Sequence, residues 1–478
     1  MAVKRFLRSD RIESALLAGF AGGSLSGAGV LVWWFPACLI LIFAGLFRKY
    51  AFYTAAAASA AGFLLAFYYA ESYDNRGLSI SENNYCCGSF RICLKDSRQC
   101  SVKNIGQPAM LNAELLGYKL ETSEKAVACK HKVMVRLPEN MAVPEYGSII
   151  RGYGNIYLSS DPGFSNYLKA RDIVKCIYLR EASVSGSADS TMKFILSVRD
   201  KIAERVLEYI GDDRSRNLAA ALFFGITGGF KSDLRSVYAD TGTIHIFSVS
   251  GMHVAVLAYF LFLFFRIAGM RYGYLLTLFF TGFYVVSTGA SAPAARAYFM
   301  LCIWGASRVY LMWMKPFSVF CWASFLLLLA NPLLVLDVGA RYSIVITGVL
   351  VAVTEMFSVY REKSRRLKRY LVPGGKVERR SFLSANLFKL KLSLYICTAA
   401  FAGGLAISLH HNGQFLLFSI LVNLLLAPFM SLFYLLLGAA VIFPPSGVML
   451  SLAFQLLHGF CSWVLPRLCT QDGYPKKI

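Results

Sequence analysis

Residues 241–265 read TGTIHIFSVSGMHVAVLAYFLFLFF. The first half mixes hydroxyls, glycine and two histidines; the second half, from Val254, carries no charged side chain. From Ile244 to Phe265 the run is long enough to cross a hydrocarbon core of roughly 30 Å as a helix. A lipid-facing helix must be apolar and unbroken, because the bilayer offers no water to polar groups. The apolar half therefore reads as a membrane segment, and the polar half as chain that meets protein or water at membrane depth.

Working outward, similar apolar runs recur at 273–290, 295–311, 316–330, 340–359, 393–411, 414–443 and 447–466, and three more open the chain at 12–27, 29–47 and 51–70. The 414–443 run holds Pro428 near its middle and reads either as one long kinked helix or as a re-entrant pair. Composition agrees: of 478 residues 56% are hydrophobic and only 16% charged, whereas soluble domains carry roughly a quarter. The fold class expected is a polytopic α-helical membrane protein, with about 10–11 transmembrane helices on this spacing.

The net charge of +22 suggests a phosphate-binding protein until it is partitioned. Residues 244–478 hold twenty Lys/Arg against five Asp/Glu, and the 360–391 loop alone holds eleven against two. Cytoplasmic loops collect such charge, so this loop and Arg48-Lys49 read as cytoplasmic, as does the basic N-terminus. The loop then fixes orientation and touches anionic headgroups.

That topology places residues 74–192 outside the cytoplasm. Alternating stretches such as Lys132–Leu137 and Ser148–Tyr153, punctuated by Gly and Pro, read as strands of a small barrel or sandwich. Cys86, Cys87, Cys93, Cys100, Cys129 and Cys176 lie in this insert, and in an oxidising compartment at least one disulfide is expected among them. Residues 193–243 read as amphipathic or membrane-surface helices. Phe194, Val198, Ile202, Val206 and Tyr209 share one stripe, and the apolar run 218–228 is too short to span and is expected on the membrane surface. The chain thus divides into 1–73, 74–192, 193–243 and 244–478.

Polar and helix-breaking residues at membrane depth are the functional candidates. One cluster is Thr241, Gly242, Thr243, His245, Ser248, Ser250, Gly251 and His253; the other is Thr288, Gly289, Ser291, Pro293 and Arg296. Both look like discontinuous helices with backbone groups turned to a cavity. His245 and His253 stand eight residues apart, about 12 Å on a helix, which is too far for one metal ion. Arg296 either snorkels to the headgroups or supplies charge to a path. Asp337 and Arg341 are spaced to pair across one helical turn. No phosphate-binding Gly-Lys loop, G-x-S-x-G or H-E-x-x-H occurs, so no catalytic residue and no cofactor are assigned.

The run VYADTGTIHIFSVSGMHVAVL, 237–257, resembles the signature of the ComEC-type competence proteins, the inner-membrane channels for DNA uptake. STGASAPAARAYFML, 287–301, resembles their second signature. ANPLLVLDVGARYSI, 330–344, and NGQFLLFSILVNLLLAPFMSL, 412–432, resemble later segments, although the Gln-Leu-Ser common near Tyr342 is missing. GSIIRGYGNIYLSSDPGFSNYLKARDIVKCIYL, 147–179, resembles the end of the family's extracytoplasmic OB-like domain. The resemblance implies a channel for single-stranded DNA across the bacterial cytoplasmic membrane during natural transformation. It implies a receptor outside and helicase and single-strand-binding partners inside; oligomers are compatible with it. The metallo-β-lactamase-like domain that often ends the family is not expected in this chain, which leaves open a separate nuclease, a naturally short form or a truncated gene. Tyr146, Tyr153, Tyr157, Phe164, Tyr167 and Tyr178 are available to stack bases, or to pack as core. The competing reading is a polytopic transporter or scaffold for another substrate, such as an envelope component.

Overall fold

The computed structural model describes residues 85–96, 110–121, 126–138, 143–157, 162–188, 190–227, 249–310, 314–371 and 394–405, with isolated residues elsewhere. The expected spans 12–27, 29–47, 414–443 and 447–466 lie outside these residues, as do Thr241, Gly242, Thr243, His245, Ser248 and Cys100.

Alternation dictates the insert. In β1 (Tyr85–Leu94), β2 (Leu111–Leu120), β3 (Val127–Arg136), β4 (Ser148–Tyr157) and β5 (Lys175–Ser187), every second residue is apolar over much of the length. Such a strand hides one face and wets the other. Five of them solve the problem by closing into a barrel, in the order β1-β2-β3-β5-β4 with β4 returning to β1. All pairs are antiparallel except β3 with β5. Phe90, Ile92, Leu115, Val133, Val135 and Ile150 fill the interior, each contributing about 1.5–3 kcal/mol on burial. Gly154 lies opposite Gly88 in the β1–β4 ladder. A Cβ at Gly154 would sit 2.1 Å from the Tyr178 carbonyl oxygen, so the tight wall tolerates no side chain there.

Between β4 and β5 the chain forms α1 (Pro162–Ala170), which covers the outside of β3 and β5. Tyr157, Phe164 and Tyr167 pack there against Met134, Leu168, Ile173 and Cys176. These three aromatics therefore serve as core.

The four insert cysteines whose side chains are described, Cys87, Cys93, Cys129 and Cys176, are free thiols. Burial pushes the Cys176 thiol up to about 11 and raises Cys129 as well. Because the thiolate is the reactive form, Cys176 is expected to resist alkylation in the native protein at about pH 8, where a free thiol of ordinary pKa reacts. Half-buried Cys87 should label first. Mass spectrometry of native and unfolded samples checks both.

Helices follow the insert. α2 (Thr191–Leu207) begins at Ser190, whose hydroxyl accepts from Lys193 N at 3.2 Å. α3 (Asp213–Phe224) begins at Asp212, which accepts from Ser215 N at 3.0 Å, and ends at Gly225 in the left-handed region. In α2 the buried stripe is Leu196, Arg199, Ala203, Val206 and Leu207. The stripe expected from sequence is rotated from it: only Val206 belongs to both, and Phe194 is 67% exposed. Leu218 to Phe224 and Ile226 are all buried within the protein. A helix lying on a membrane surface would leave its apolar side open, so this run is core where a surface helix was expected.

The next block is α4 (Gly251–Phe265), α5 (Met270–Ser287), α6 (Ala292–Val309), α7 (Pro316–Ala330) and α8 (Val338–Leu371), then helix Leu394–Leu405. Among the described residues two helical stretches, Gly251–Ala268 and Val338–Ser358, are long and apolar enough to cross a membrane. Pro293 and Pro316 open α6 and α7, where a missing N–H costs nothing. The segment from 360 was expected to be loop. Its first part is instead the continuation of α8 to Leu371, because Arg, Lys and Glu favour helix and no breaker occurs before Pro373.

Asp337 and Arg341 do not form the expected ion pair. Asp337 stands just before α8, not within it, and its carboxylate accepts from Ala340 N at 2.8 Å as an N-cap. Its other oxygen faces Arg171 at 3.9 Å. The Arg341 guanidinium turns back and donates to the Val335 carbonyl at 2.6 Å. Asn331 donates to the Ala170 carbonyl at 3.1 Å, and Ala170 lies in one cluster with Phe320, Leu333 and Leu336. The barrel is thereby fastened to the helices through the end of α1.

Candidate functional site

The start of α4 and the α5–α6 connection come together. Ser250 is the N-cap of α4, and its backbone N–H donates to His253 Nδ1 at 3.0 Å. His253 is fully buried, so its imidazole closes the first turn in place of the Glu that usually fills this position. Ser291 Oγ donates to the Val249 carbonyl at 2.9 Å, across 42 residues of sequence. A Cβ on Gly251 would stand 3.3 Å from Ala297 Cβ, 3.4 Å from the Pro293 carbonyl oxygen and 3.9 Å from Arg296 Nη2. Glycine is thus what lets the first turn of α4 lie against α6.

The α5–α6 turn is held in an uncommon conformation. Gly289 has φ +92° and Ala290 φ +46°; the left-handed region is costly for alanine. Thr288 Oγ1 donates back to the Tyr284 and Val285 carbonyls at 3.0 and 3.1 Å, and Ser287 Oγ donates to Tyr284 O at 2.9 Å. These hydroxyls secure the end of α5. From below, Arg199 Nη1 donates to the Ser287 carbonyl at 3.1 Å. Gly225 meets Thr288 so closely that a Cβ would be 2.8 Å from its carbonyl oxygen.

Arg296 is buried, at 3% exposure. It does not snorkel. Its Nη1 donates to the Ser343 carbonyl and its Nη2 to Thr347 Oγ1, both at 2.7 Å, and its guanidinium lies 5.5 Å from the Phe320 ring centre. Nε has no hydrogen-bond partner. Among the described residues no carboxylate pairs with it. A positive charge is therefore held inside the helices by neutral dipoles and an aromatic face. Among the described residues no group of three His, Cys, Asp or Glu side chains gathers to hold a metal.

The two sequence clusters are adjacent wherever they are described: Ser250, Gly251 and His253 lie beside Ser291, Pro293 and Arg296, and Thr288 and Gly289 adjoin them. A family model for competence proteins matches residues 222–471. The chain belongs to the competence-protein family. The match contains both sequence clusters and leaves the barrel outside it. ComE operon protein 3 of Bacillus subtilis (strain 168) is 25% identical over 272 residues, which is 56% of this chain and 31% of that protein. The chain therefore matches about a third of this relative's length. No solved structure matches.

Sequence reading missed three residues of this competence-family junction. Arg199 looked like one more charge on an amphipathic helix; its i, i+3, i+7 spacing with Leu196, Ala203 and Val206 was the available signal. Gly225 and Thr347 gave none.

Proposed function

We propose that this membrane-associated chain forms the conduit through which DNA, as a single strand, crosses the bacterial cytoplasmic membrane during natural transformation. The observation that carries the reading is the junction of α4 with the α5–α6 turn beside a buried, carboxylate-free guanidinium. An anionic polymer crossing a low-dielectric region needs fixed positive charge and oriented dipoles in place of water, and the competence-family match supports DNA as that polymer. The reading takes the protein as multi-pass, with the barrel outside and the basic segment after Ser358 inside. The strand order, with β3 parallel to β5, supports an OB-like barrel that meets the strand before the helices do. The reading further takes the driving force, the helicase, the single-strand-binding protein, the outside receptor and the nuclease as separate proteins.

Deleting the gene should abolish transformation while cells still capture DNA at their surface, scored as cell-associated labelled DNA that external nuclease removes, with the nuclease-resistant fraction lost. Normal transformation by the deletion strain would sink the reading, and an envelope defect in its place would favour transport of another substrate.

A further inference from the structure

Antiparallel register places Arg91 of β1 directly opposite Arg151 of β4. Both side chains are exposed on the outer wall of the barrel, and Ile92 and Ile150 beside them are buried. Directly opposed residues stand about 5 Å apart at Cα, and like charges in that relation are destabilising. Nothing on the wall relieves it: among the described residues no carboxylate forms an ion pair with either arginine. Two lysines of β3 differ, since Lys130 is paired with Glu114 and Lys132 with Asp172. A fold that keeps an uncompensated arginine pair on an open wall has a use for an anion there.

The neighbours say which anion. The arginine row continues to Gly117 on β2 and Ser183 on β5, both small, so a ligand can lie flush across the guanidinium forks. The next row along the strands is Lys119, Ser89, Tyr153 and Glu181, two residues or about 7 Å away. The Tyr153 hydroxyl donates to Glu121, which orients the ring and holds the phenol up to about 12, so it stays neutral. Glu181 is the nearest carboxylate in register and pairs with neither arginine.

The geometry points to a single-stranded nucleic-acid subsite on the β1–β4 wall, with Arg91 and Arg151 binding a backbone phosphate and Tyr153 stacking its base. Guanidinium forks match phosphate oxygens bidentately, and a fixed aromatic beside a cationic groove is how single strands are held without sequence preference. A lipid headgroup would need the charges but not the ring, and the arginines are flanked in their own row by glycine and serine, Gly117 and Ser183. The site rests on the DNA-conduit reading and adds to it where the strand touches the barrel.

The test uses the full chain in detergent and fluorescent oligo(dT), with anisotropy read across a salt series. Arg91→Ser with Arg151→Ser should weaken binding by roughly tenfold or more and reduce the slope of log affinity against log salt by about 0.7, the share of one phosphate on a single strand. Lys130→Ser, equal in kind but already paired, should change neither appreciably. Tyr153→Leu should weaken oligo(dT) binding roughly tenfold with the salt slope kept, and leave binding of inorganic polyphosphate unchanged. The double variant should melt no earlier than the parent, because a repulsion has been removed. The site is overturned if the double variant binds like the parent, if Lys130→Ser loses as much, if Tyr153→Leu weakens polyphosphate equally, or if the double variant melts early. A parent that supports transformation while the double variant binds normally overturns this site alone; a parent that neither binds oligo(dT) nor supports transformation overturns the conduit reading with it.

Discussion

Gly251→Leu and His253→Ala are each expected to reduce DNA uptake by roughly two orders of magnitude, the cost of misplacing a functional group by about 1 Å, with the protein still in the membrane at normal abundance. At Gly251 the first added carbon already meets Ala297 Cβ at 3.3 Å and the Pro293 carbonyl at 3.4 Å. Leucine adds three more carbons to that seam, and α4 must move away from α6. Overpacking of this kind costs about 1–3 kcal/mol, enough to displace one helix start and too little to unfold the protein. His253→Ala removes the acceptor for Ser250 N, a capping loss of about 1 kcal/mol. Apolar exchanges at Leu261 or half-exposed Leu263, farther along the same helix, should be mild. Quantitative blotting of membranes beside transformation counts separates the outcomes. Normal transformation by both variants would falsify the junction as a functional site, and disappearance of the protein would make these residues structural.

Arg296→Met is expected to leave the protein about as stable as the parent and to abolish uptake. Two magnitudes oppose each other. The two hydrogen bonds to Ser343 and Thr347 are worth about 1.5–3 kcal/mol each, while keeping a guanidinium away from water costs several kcal/mol. A methionine of similar reach restores packing against Phe320 and relieves the second term, so the balance lies near zero. Arg296→Lys retains the charge but lacks the planar fork that reaches two acceptors at once, and it should recover uptake only in part. Thermal melts in detergent and transformation frequency are the two readouts. If Arg296→Met melts far below the parent, the arginine is a staple between α6 and α8; if it transforms normally, its charge serves no path.

What the sequence made legible follows from local pattern. The strands Lys132–Leu137 and Ser148–Tyr153 showed themselves by alternation. The candidate clusters were found because a hydroxyl or imidazole in an apolar run is conspicuous, and the structure sets the described members side by side. Long-range geometry was illegible. The pairing of Asp337 with Arg341 failed because spacing says nothing of where a helix begins, and Asp337 stands outside α8 as its cap. The inner stripe of α2 was misphased because Phe194 and Tyr209 are exposed while Arg199 is buried. Apolar character alone gave the wrong face. The run 218–228 was assigned to a membrane surface because it is too short to span, and length says nothing of burial; Leu218 to Phe224 are buried within the protein. Four insert cysteines are free thiols, and no count of cysteines could have chosen between thiols and bridges.

The hydrogen bond from Asn331 to Ala170 spans 161 residues, and that separation has a consequence in time. A ribosome adds about 5–20 residues per second. Once Ala170 has been made, roughly ten to thirty seconds pass before Asn331 exists to receive it. β5 is made within the first seconds of that interval, so the barrel can close early, while the end of α1 waits with Ala170 uncovered until α7 and the Pro332–Leu336 turn arrive. Assembly is thus ordered by translation: the barrel is complete first, and the helices are seated against it afterwards. Nascent chains halted before residue 331 should carry a closed barrel whose Arg171 flank is open to protease, and chains halted well past 337 should not.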